Sequence, residues 1–366
     1  MSATVPVVMH LISSLGIGGA ERLLIDTFKA TAGDAGIAYV AVIMNEAVDA
    51  GFLAELEETG RPVYRLGRRE GHLHPRYLAR LLRIVDRHGV DVIHTHNEGS
   101  RAWGMAVRLL RRRVKLVYTV HSHDNAESIR GIRRRAYTQL VDATVAISAF
   151  VAETAKALRP RNLTLVPNGV ALDRFRHLAP AAPGAVFRIV NVARFIPFKG
   201  QDVLIDALRI CRDRGLRLRC TFVGTIAEQP FYDRLQAMVA ERGLVDNVVF
   251  AHDRSDIETF FADADAFVLS SRDEGFGIAL VEAMAAGLPA IAPRVGGAAE
   301  IVTDDVSGLH FVAGDPVDLA EKIMRLAGDR ALRKSLSTQG RARAAVYDIR
   351  TMAGALRQLY LRLIRR

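Results

Sequence analysis

Residues 5–30 read VPVVMHLISSLGIGGAERLLIDTFKA and set the pattern for the whole chain. The apolar run Val5–Ile12 is followed by a glycine loop, and the apolar residues of Ala20–Ala30 then recur with the period of a helix. Strand, loop and helix in this order form the unit from which parallel sheets are built. No basic residue precedes the apolar run, so we interpret it as a buried first strand rather than as a signal peptide.

The same alternation of apolar runs and helical segments continues in two blocks. Further strands are predicted at 38–43, 91–94, 115–120, 143–147 and 163–166, and then at 187–192, 217–223, 248–251, 265–269 and 289–292. The stretch LAPAAPGA at 178–185 has the composition of a linker. We therefore predict an α/β fold with two doubly wound, Rossmann-like domains, 1–177 and 187–346, that are joined by a linker at 178–186 and face each other across a cleft. Ligands of such folds bind beyond the carboxyl ends of the strands.

Composition narrows the class of protein. The 366 residues are 50% hydrophobic and 25% charged, which excludes a largely disordered chain and is enough for two cores. No apolar run approaches the roughly 20 residues of a membrane span. Only two cysteines are present, Cys211 and Cys220, without a C-x-x-C motif. A disulfide scaffold and a zinc ribbon are therefore excluded, and a cytoplasmic location is expected.

The first glycine loop is Gly16-Ile-Gly-Gly-Ala-Glu21. The dinucleotide fingerprint requires glycine where Glu21 stands, which disfavours a nicotinamide or flavin enzyme. The backbone around Gly18 and Gly19 is nevertheless bare enough for an anion to approach the start of the helix. The alternative is a tight turn with no ligand.

Histidines occur in two H-x-H pairs, His94 with His96 and His121 with His123. Residues two apart in a strand point the same way, so the pairs could in principle form a metal site. No H-E-x-x-H motif accompanies them. We therefore favour a buried, hydrogen-bonded His94 and a His121 that donates or accepts a hydrogen bond in the cleft, and we predict no metal site.

A D-x-D motif at Asp263 and Asp265 has the spacing with which some sugar-nucleotide enzymes hold a divalent metal. Here the motif ends one predicted helix and begins the strand Ala266–Leu269. We interpret both carboxylates as parts of a helix–strand junction.

The second block contains two cations in one strand-to-helix loop, Arg194 and Lys199. A guanidinium fork and an ammonium five residues apart form a plausible clamp for a diphosphate. Further on, Glu274-Gly-Phe-Gly277 precedes a helix that contains Glu282. A carboxylate beside the free N–H groups of a helix start suits an anionic, hydroxyl-rich ligand, although two solvated acids on a tightly packed helix are the alternative.

The spacing of Glu274 and Glu282 within EGFGIALVEAMAAGLPAIAPRVGGAAEIV resembles the E-x7-E signature of glycosyltransferase family 4. Further segments resemble this family in the family's own order: GGAE at 18–21, DVIHTH at 91–96, TVH at 119–121, AIS at 146–148, VPNGV at 166–170, VARFIPFKG at 192–200 and FVG at 222–224. The resemblance covers nearly the whole chain. It implies a retaining, metal-independent enzyme of the two-domain GT-B fold, with a closing helix at 347–366 that returns to the first domain.

The resemblance also implies roles for single residues. Arg194 and Lys199 would bind the donor diphosphate, Glu282 the ribose, and Glu274 the donor sugar. Gly275, Phe276 and Gly277 would contact sugar and phosphate through their backbone. In the first domain, His121 would lie near the donor sugar, and Gly18 and Gly19 would line the cleft. The candidate catalytic residues are then His121, Arg194, Lys199 and Glu274, with no cofactor and no metal.

The formal net charge of +10 is concentrated in residues 68–135, which contain 16 basic and 6 acidic side chains. Arg76, Arg80, Arg83 and Arg87 follow helical spacing and form one stripe. This stripe suits an anionic membrane surface or a diphosphate-linked lipid acceptor, and a solvated face is the alternative. Nucleic acid is not expected as a partner, because aromatic residues do not interleave with the arginines.

We therefore predict a hexosyltransferase that moves a sugar from a UDP- or GDP-sugar to a hydroxyl group. The expected acceptor is a lipid-linked or growing saccharide of bacterial cell-surface polysaccharide or glycolipid synthesis. The expected location is the cytoplasm, with peripheral attachment to the inner face of the plasma membrane. The alternative is a sugar-nucleotide epimerase of the same fold.

Overall fold

A computed structural model describes residues 5–122, 131–178 and 184–365, without the side chains of 131–133. It divides the chain into two units, Met1–Gly169 with Ile349–Arg366, and Val170–Asp348. The first boundary lies eight residues before the expected 177 because the intervening segment packs on the second unit: Val170 N–H donates to the carbonyl of Tyr347 at 2.8 Å, and the Phe175 ring lies 5.8 Å from that of Phe261. Of the expected linker, 179–183 lie outside the described residues.

The first unit contains a seven-stranded parallel sheet in the order β3-β2-β1-β4-β5-β6-β7. Its strands are β1 (Val7–Ile12), β2 (Ala38–Asn45), β3 (Val63–Arg68), β4 (Val92–Thr95), β5 (Lys115–Val120), β6 (Ala143–Ala146) and β7 (Leu163–Leu165). Its helices are α1 (Gly19–Ala30), α2 (Ala50–Glu57), α3 (Pro75–His88), α4 (Glu98–Leu110), α5 (Gly131–Leu140), α6 (Ala149–Ala155) and, from the end of the chain, α14 (Ile349–Ile364).

The second unit contains a six-stranded parallel sheet in the order β10-β9-β8-β11-β12-β13. Its strands are β8 (Phe187–Val192), β9 (Leu218–Gly224), β10 (Val248–His252), β11 (Ala266–Val268), β12 (Ala290–Pro293) and β13 (Leu309–Phe311). Its helices are α7 (Gln201–Asp213), α8 (Gln229–Glu241), α9 (Ile257–Ala262), α10 (Ile278–Ala286), α11 (Ala298–Ile301), α12 (Pro316–Gly328) and α13 (Arg330–Ala344).

Both sheets confirm the predicted α/β class with two doubly wound parallel sheets. The strand order reverses between β1 and β4 in the first sheet and between β8 and β11 in the second. The loops beyond the carboxyl ends of these four strands are the places where such folds bind ligands. They contain the glycine loop at 16–19, His96 after β4, the Arg194–Lys199 loop and the segment that leads to Glu274.

The last helix, α14, belongs to the first unit, where it packs on α1. Its Tyr360 is buried, and the phenol oxygen lies 2.6 Å from Nδ1 of His94 on β4. Among the described residues, no helix combines the length and the apolar character needed to cross a bilayer.

Candidate active site

The loop after β8 is held against the segment that follows β11. A short 3-10 helix, Pro197–Lys199, ends at Gly200, whose φ of 65° favours glycine. A Cβ at Gly200 would lie 2.1 Å from the carbonyl oxygen of Ser270, so only glycine permits this approach. Ser270 Oγ in turn donates to the carbonyl of Lys199 at 2.9 Å. The local backbone therefore places Lys199 beside the residues that lead to Glu274.

Lys199 and Glu274 form an ion pair. The ammonium lies 2.7 Å from Oε2 of Glu274, and both side chains are largely buried. Ser271 Oγ donates to the same carboxylate oxygen at 3.1 Å. By contrast, Arg194 is exposed, and among the described residues no carboxylate pairs with its guanidinium. The site therefore contains one cation that is already neutralised and one that is open to an anion.

The glycines before α10 let the backbone come close to a neighbouring loop. Gly277 precedes the helix with a φ of 106°, and a Cβ on Gly297 would lie 2.4 Å from the carbonyl oxygen of Gly275. The Phe276 side chain is buried, with its ring 5.4 Å from that of Tyr347. Only the backbone at 275–277 is thus available to a ligand, and the first N–H groups of α10 provide donors for an anion.

Glu282 lies in the second turn of α10 and is buried, with 5% of its surface exposed. A carboxylate is seldom buried to this degree without a partner. The neighbouring Ala283, Ala285 and Ala286 are also buried, so the helix packs closely on this side. Glu282 is therefore a buried acid of the second unit rather than a solvated surface residue.

The D-x-D carboxylates lie at the other edge of the same sheet. Asp265 precedes β11, and Asp263 follows α9. Arg188, near the start of β8, binds both of them, with its Nε 3.0 Å from Asp265 and its Nη1 3.0 Å from Asp263. The backbone N–H of Arg188 also donates to Asp265 at 2.8 Å. These contacts join a helix end to a strand start at the amino edge of the sheet, away from the strand ends that carry Lys199 and Glu274.

In the first unit, Gly18 immediately precedes α1, and Gly19 is the exposed first residue of that helix. The φ of Gly18 is −165°, an extended value that any residue adopts. A Cβ there would nevertheless lie 2.5 Å from Oε2 of Glu21, so a larger residue requires the Glu21 side chain to move. The glycines thus keep the carboxylate of Glu21 close to the positive end of the helix dipole.

The histidines at the carboxyl edge of the first sheet form a buried cluster. His94 has Tyr360 and Thr119 as hydrogen-bond partners at 2.6 Å each, as expected for a buried histidine. His96 has His10 as its partner, with Nε2 2.8 Å from Nδ1 of His10. Sequence reasoning missed His10, because only the β1–β4 register, which places it opposite His94, reveals its role.

These imidazoles are held in their neutral form. Burial lowers the pKa of His10 from 6.5 to about 3, with a further contribution from the charge of Arg61. Burial also lowers the pKa of His121 to about 4, and it lowers the pKa of His94 and His96 well below the ordinary value. His123 of the second H-x-H pair lies outside the described residues.

The arginine stripe lies on α3. Arg76, Arg80, Arg83 and Arg87 are exposed, whereas the opposite face of the helix is buried through Tyr77, Leu81, Ile84 and Val85. Neighbouring leucines are exposed as well: Leu73 before α3 and Leu109 and Leu110 at the end of α4. The surface of the first unit therefore combines cations with apolar side chains at this place.

Comparisons with known proteins agree with the fold. The D-inositol 3-phosphate glycosyltransferase of Jonesia denitrificans is 30% identical in an alignment 290 positions long that covers 69% of this chain and 67% of that protein. The GDP-mannose-dependent alpha-(1-6)-phosphatidylinositol monomannoside mannosyltransferase of Mycolicibacterium smegmatis is 29% identical over 72% of this chain and 74% of its own. The Anabaena protein Alr3699/HepE, solved in complex with UDP and glucose, superposes with a TM-score of 0.83 at 23% identity, covering 97% of this chain and 99% of that one.

Two family descriptions match the two halves of the sequence. Residues 179–343 match "Glycosyl transferases group 1", and residues 17–174 match "Glycosyltransferase Family 4". The structural neighbours have the GT-B fold that the resemblance implied. The chain therefore belongs to glycosyltransferase family 4.

Proposed function

We propose that this glycosyltransferase takes its sugar from a UDP- or GDP-sugar, transfers it to a hydroxyl group with retention at the anomeric carbon, and needs no metal at the diphosphate. The observation that supports the proposal most is the Lys199–Glu274 pair at the carboxyl edge of the second sheet, with the exposed Arg194 in the same loop. Two cations at a helix start provide the counter-charge that a divalent metal supplies in other enzymes.

The chemistry follows from where charge develops. As the bond between the anomeric carbon and the diphosphate oxygen breaks, negative charge grows on that oxygen. Arg194 contributes a fork of donors and Lys199 a compact charge, and both stabilise the leaving group more than the intact donor. The acceptor oxygen forms the new bond to the anomeric carbon, and its proton passes to the departing diphosphate. No protein nucleophile is needed in this scheme.

The ion pair adds a step to donor binding. Lys199 pairs with Glu274, and Ser271 Oγ donates a hydrogen bond to the same carboxylate. A diphosphate that takes over Lys199 leaves Glu274 free to accept hydrogen bonds from sugar hydroxyls. This exchange of partners brings Lys199 to the diphosphate and leaves Glu274 for the sugar, which are the roles expected for the two residues. The donor-side roles expected for His121, Gly18 and Gly19 in the first unit stay predictions.

The relatives support the choice of substrates. The mycobacterial relative is named for GDP-mannose and a phosphatidylinositol mannoside, and the Anabaena structure holds UDP and glucose. We propose that the acceptor is a lipid-linked or growing saccharide of cell-surface synthesis and that the enzyme works in the cytoplasm.

We further propose that the arginine stripe of α3 docks on an anionic membrane surface. Each basic residue near such a surface contributes on the order of 1 kcal/mol, screened by salt over about 8 Å. The exposed Leu73, Leu109 and Leu110 would add apolar contact with the membrane interface.

Sedimentation with vesicles that contain anionic lipid tests the proposed docking. Binding should fall with added salt and when Arg76, Arg80, Arg83 and Arg87 are changed to Ser. Equal binding of the wild type and the quadruple variant would mean that the arginine stripe is a solvated face that does not dock on the membrane.

One assay tests the proposed reaction. Nucleotide release is measured with UDP- and GDP-sugars, with and without a lipid-linked acceptor pool, and NMR of the product gives its anomeric configuration. We expect acceptor-dependent release, a product with the donor's configuration, and unchanged turnover in excess chelator. Inversion, or loss of turnover that manganese restores, would contradict the proposal. Epimerised sugar nucleotide without transfer would favour the epimerase.

A further inference from the structure

Three histidines converge inside the first unit. His10 on β1 lies opposite His94 on β4, and His96 follows two residues after His94 on the same side. The ring centroids of His94 and His96 are 4.5 Å apart, and each is 5.1 Å from that of His10. One ring nitrogen from each histidine lies within 4.8 Å of the others, and all three residues are buried.

The hydrogen bonds of the cluster are incomplete. His10 Nε2 and His96 Nδ1 are buried and have no hydrogen-bond partner among the described residues, and the same is true of Nε2 of His121. The His121 ring lies 5.9 Å from that of His96. A buried polar atom without a partner costs free energy, so native proteins fill such places with ordered water or an ion.

A cavity lies beside the cluster. It provides about 20 Å³ for the centre of a water-sized ligand, and the four histidines share its wall with Thr27, Thr119, Asn168 and apolar side chains. No carboxylate or thiol of the described residues lines it. The set of ligands offered is therefore imidazole, which suits zinc, copper and nickel and not magnesium or calcium.

The imidazoles are ready to act as ligands. An imidazole ring offers one nitrogen lone pair to a metal, and the rings of all three histidines are buried side by side. His94 already has the outer contact that orients metal-bound histidines, because Tyr360 OH lies 2.6 Å from its Nδ1. Its Nε2 would then exchange the hydroxyl of Thr119 for the metal.

The geometry requires only small movements. Zinc–nitrogen bonds of ~2.0–2.1 Å in a tetrahedron place neighbouring nitrogens roughly 3.4 Å apart. The ligand atoms are then His10 Nδ1 and His96 Nε2, whose 2.8 Å contact must open slightly, and one ring nitrogen of His94, which must close from a distance of at most 4.8 Å. The unpartnered His10 Nε2 and His96 Nδ1 lie on the other side of their rings and are left to ordered water. We propose that His10, His94 and His96 bind one zinc-class transition-metal ion, with a water molecule in the cavity as the fourth ligand.

This site revises the expectation that the histidine pairs hold no metal. Its proposed ligands come from β1 and β4 of the first unit, whereas Arg194 and Lys199 belong to the second. The proposed metal-independent chemistry at the diphosphate and the metal proposed here therefore succeed or fail separately.

Metal titration of the full chain tests the site. The protein is stripped with a chelator and titrated with Zn²⁺ against a competing indicator, and with Co²⁺, whose visible absorption reports tetrahedral coordination. We expect one ion per chain. His10→Gln and His96→Gln should weaken binding more than ~100-fold, and Tyr360→Phe roughly 10- to 100-fold, as for other outer contacts of metal-bound histidines.

His310→Gln is the matched control, because His310 is a buried histidine of the second unit whose ring nitrogens face the carbonyls of Ala292 and Val302. It should bind one ion as the wild type does. Circular dichroism checks that each variant folds, and the wild-type titration stands even if one does not. No ion in the wild type, or equal binding by the wild type and His10→Gln, would overturn the proposal and leave a water in the cavity. Sugar transfer by the stripped protein is measured in parallel, so that a failure of the metal site is distinguished from a failure of the proposed reaction.

Discussion

The carboxyl edges of the two sheets differ in the kind of polar group that they contain. At the β1–β4 edge, called the neutral edge below, the groups are imidazoles, which burial keeps neutral. At the β8–β11 edge, called the charged edge, they are charged, with Lys199 paired to Glu274 and Arg194 exposed. The same architecture thus prepares one edge for neutral or metal ligands and the other for an anion. The fold alone therefore does not determine which ligand each edge binds, and the side chains after each strand do.

The largest effect is expected from removing a cation at the charged edge. Lys199→Ala and Arg194→Ala should each lower turnover by roughly 10²–10³-fold, because the lost charge acts where negative charge develops in the transition state. Binding of the free nucleoside should change little. Steady-state kinetics with a sugar acceptor, together with calorimetry of nucleoside binding, separates the two effects.

Arg209→Ala provides the control for this experiment. Arg209 is a half-exposed cation on α7 of the same unit, and it pairs with a surface carboxylate, that of Asp213, at 3.2 Å. It should retain wild-type turnover. Wild-type turnover in Lys199→Ala as well would mean that the charged edge does not act on the diphosphate.

A smaller effect should separate the two acids of the charged edge. Glu282→Gln should weaken nucleotide binding by about 10- to 100-fold, the range equivalent to one hydrogen bond to a charged group. Glu274→Gln should spare nucleotide binding and lower transfer by a similar factor, because it releases Lys199 but removes the carboxylate that is proposed to bind the sugar. Calorimetry with UDP and GDP and a transfer assay measure both quantities. The reverse order would exchange the roles of the two acids.

The sequence was informative about central strands and less so about edges. Buried parallel strands such as β1 and β5 are near-continuous apolar runs, which is why they were predicted. No strand was predicted at β3 or β13, which are edge strands, whereas the edge strands β7 and β10 were predicted. VYRLGR in β3 alternates buried with exposed residues, and β13 has only three residues, so neither produces a run that stands out.

The candidate site divides in the same way. The positions of Lys199 and Glu274 at strand ends could be inferred from local pattern. Their ion pair could not, because it joins residues 75 apart through the close approach at Gly200 and Ser270. His10 was missed for a related reason, since a lone histidine in an apolar run acquires meaning only from the register with β4. Tertiary pairing carries information that periodicity does not.

As the pH falls, the stability of the neutral edge should decrease before that of the charged edge. Between pH 6.5 and about 3 the unfolded chain protonates histidines that the folded chain keeps neutral, so the unfolded state binds more protons. The free energy of unfolding should therefore fall as pH falls, by up to about 1.4 kcal/mol per pH unit for each such histidine. Hydrogen exchange of β1 and β4 peptides at pH 7.5 and 5.5, in metal-stripped protein, measures this.

Peptides from β8 and β11 provide an internal reference for the acid experiment, and His10→Gln should reduce the pH dependence in β1 and β4 only. If both edges lost protection in parallel, acid would act on the whole chain rather than on the histidine cluster, and the contrast between the edges would not extend to stability.

The smallest effect is expected at the D-x-D motif. Asp263→Asn should leave turnover within about two-fold of the wild type, because the motif lies at the amino edge of the second sheet, where Arg188 holds both carboxylates. Asp263 is 82% exposed, so its ion pair should contribute at most ~1 kcal/mol to stability. Asp265→Asn should cost more stability, since Asp265 also accepts from the backbone N–H of Arg188, but it should not lower turnover of the folded enzyme. Turnover at saturating donor, with and without added manganese, is the measurement. A large loss of turnover in Asp263→Asn that manganese partly restored would mean that a metal, and not the two cations, supplies the counter-charge to the diphosphate. The charged edge would then not be the diphosphate site.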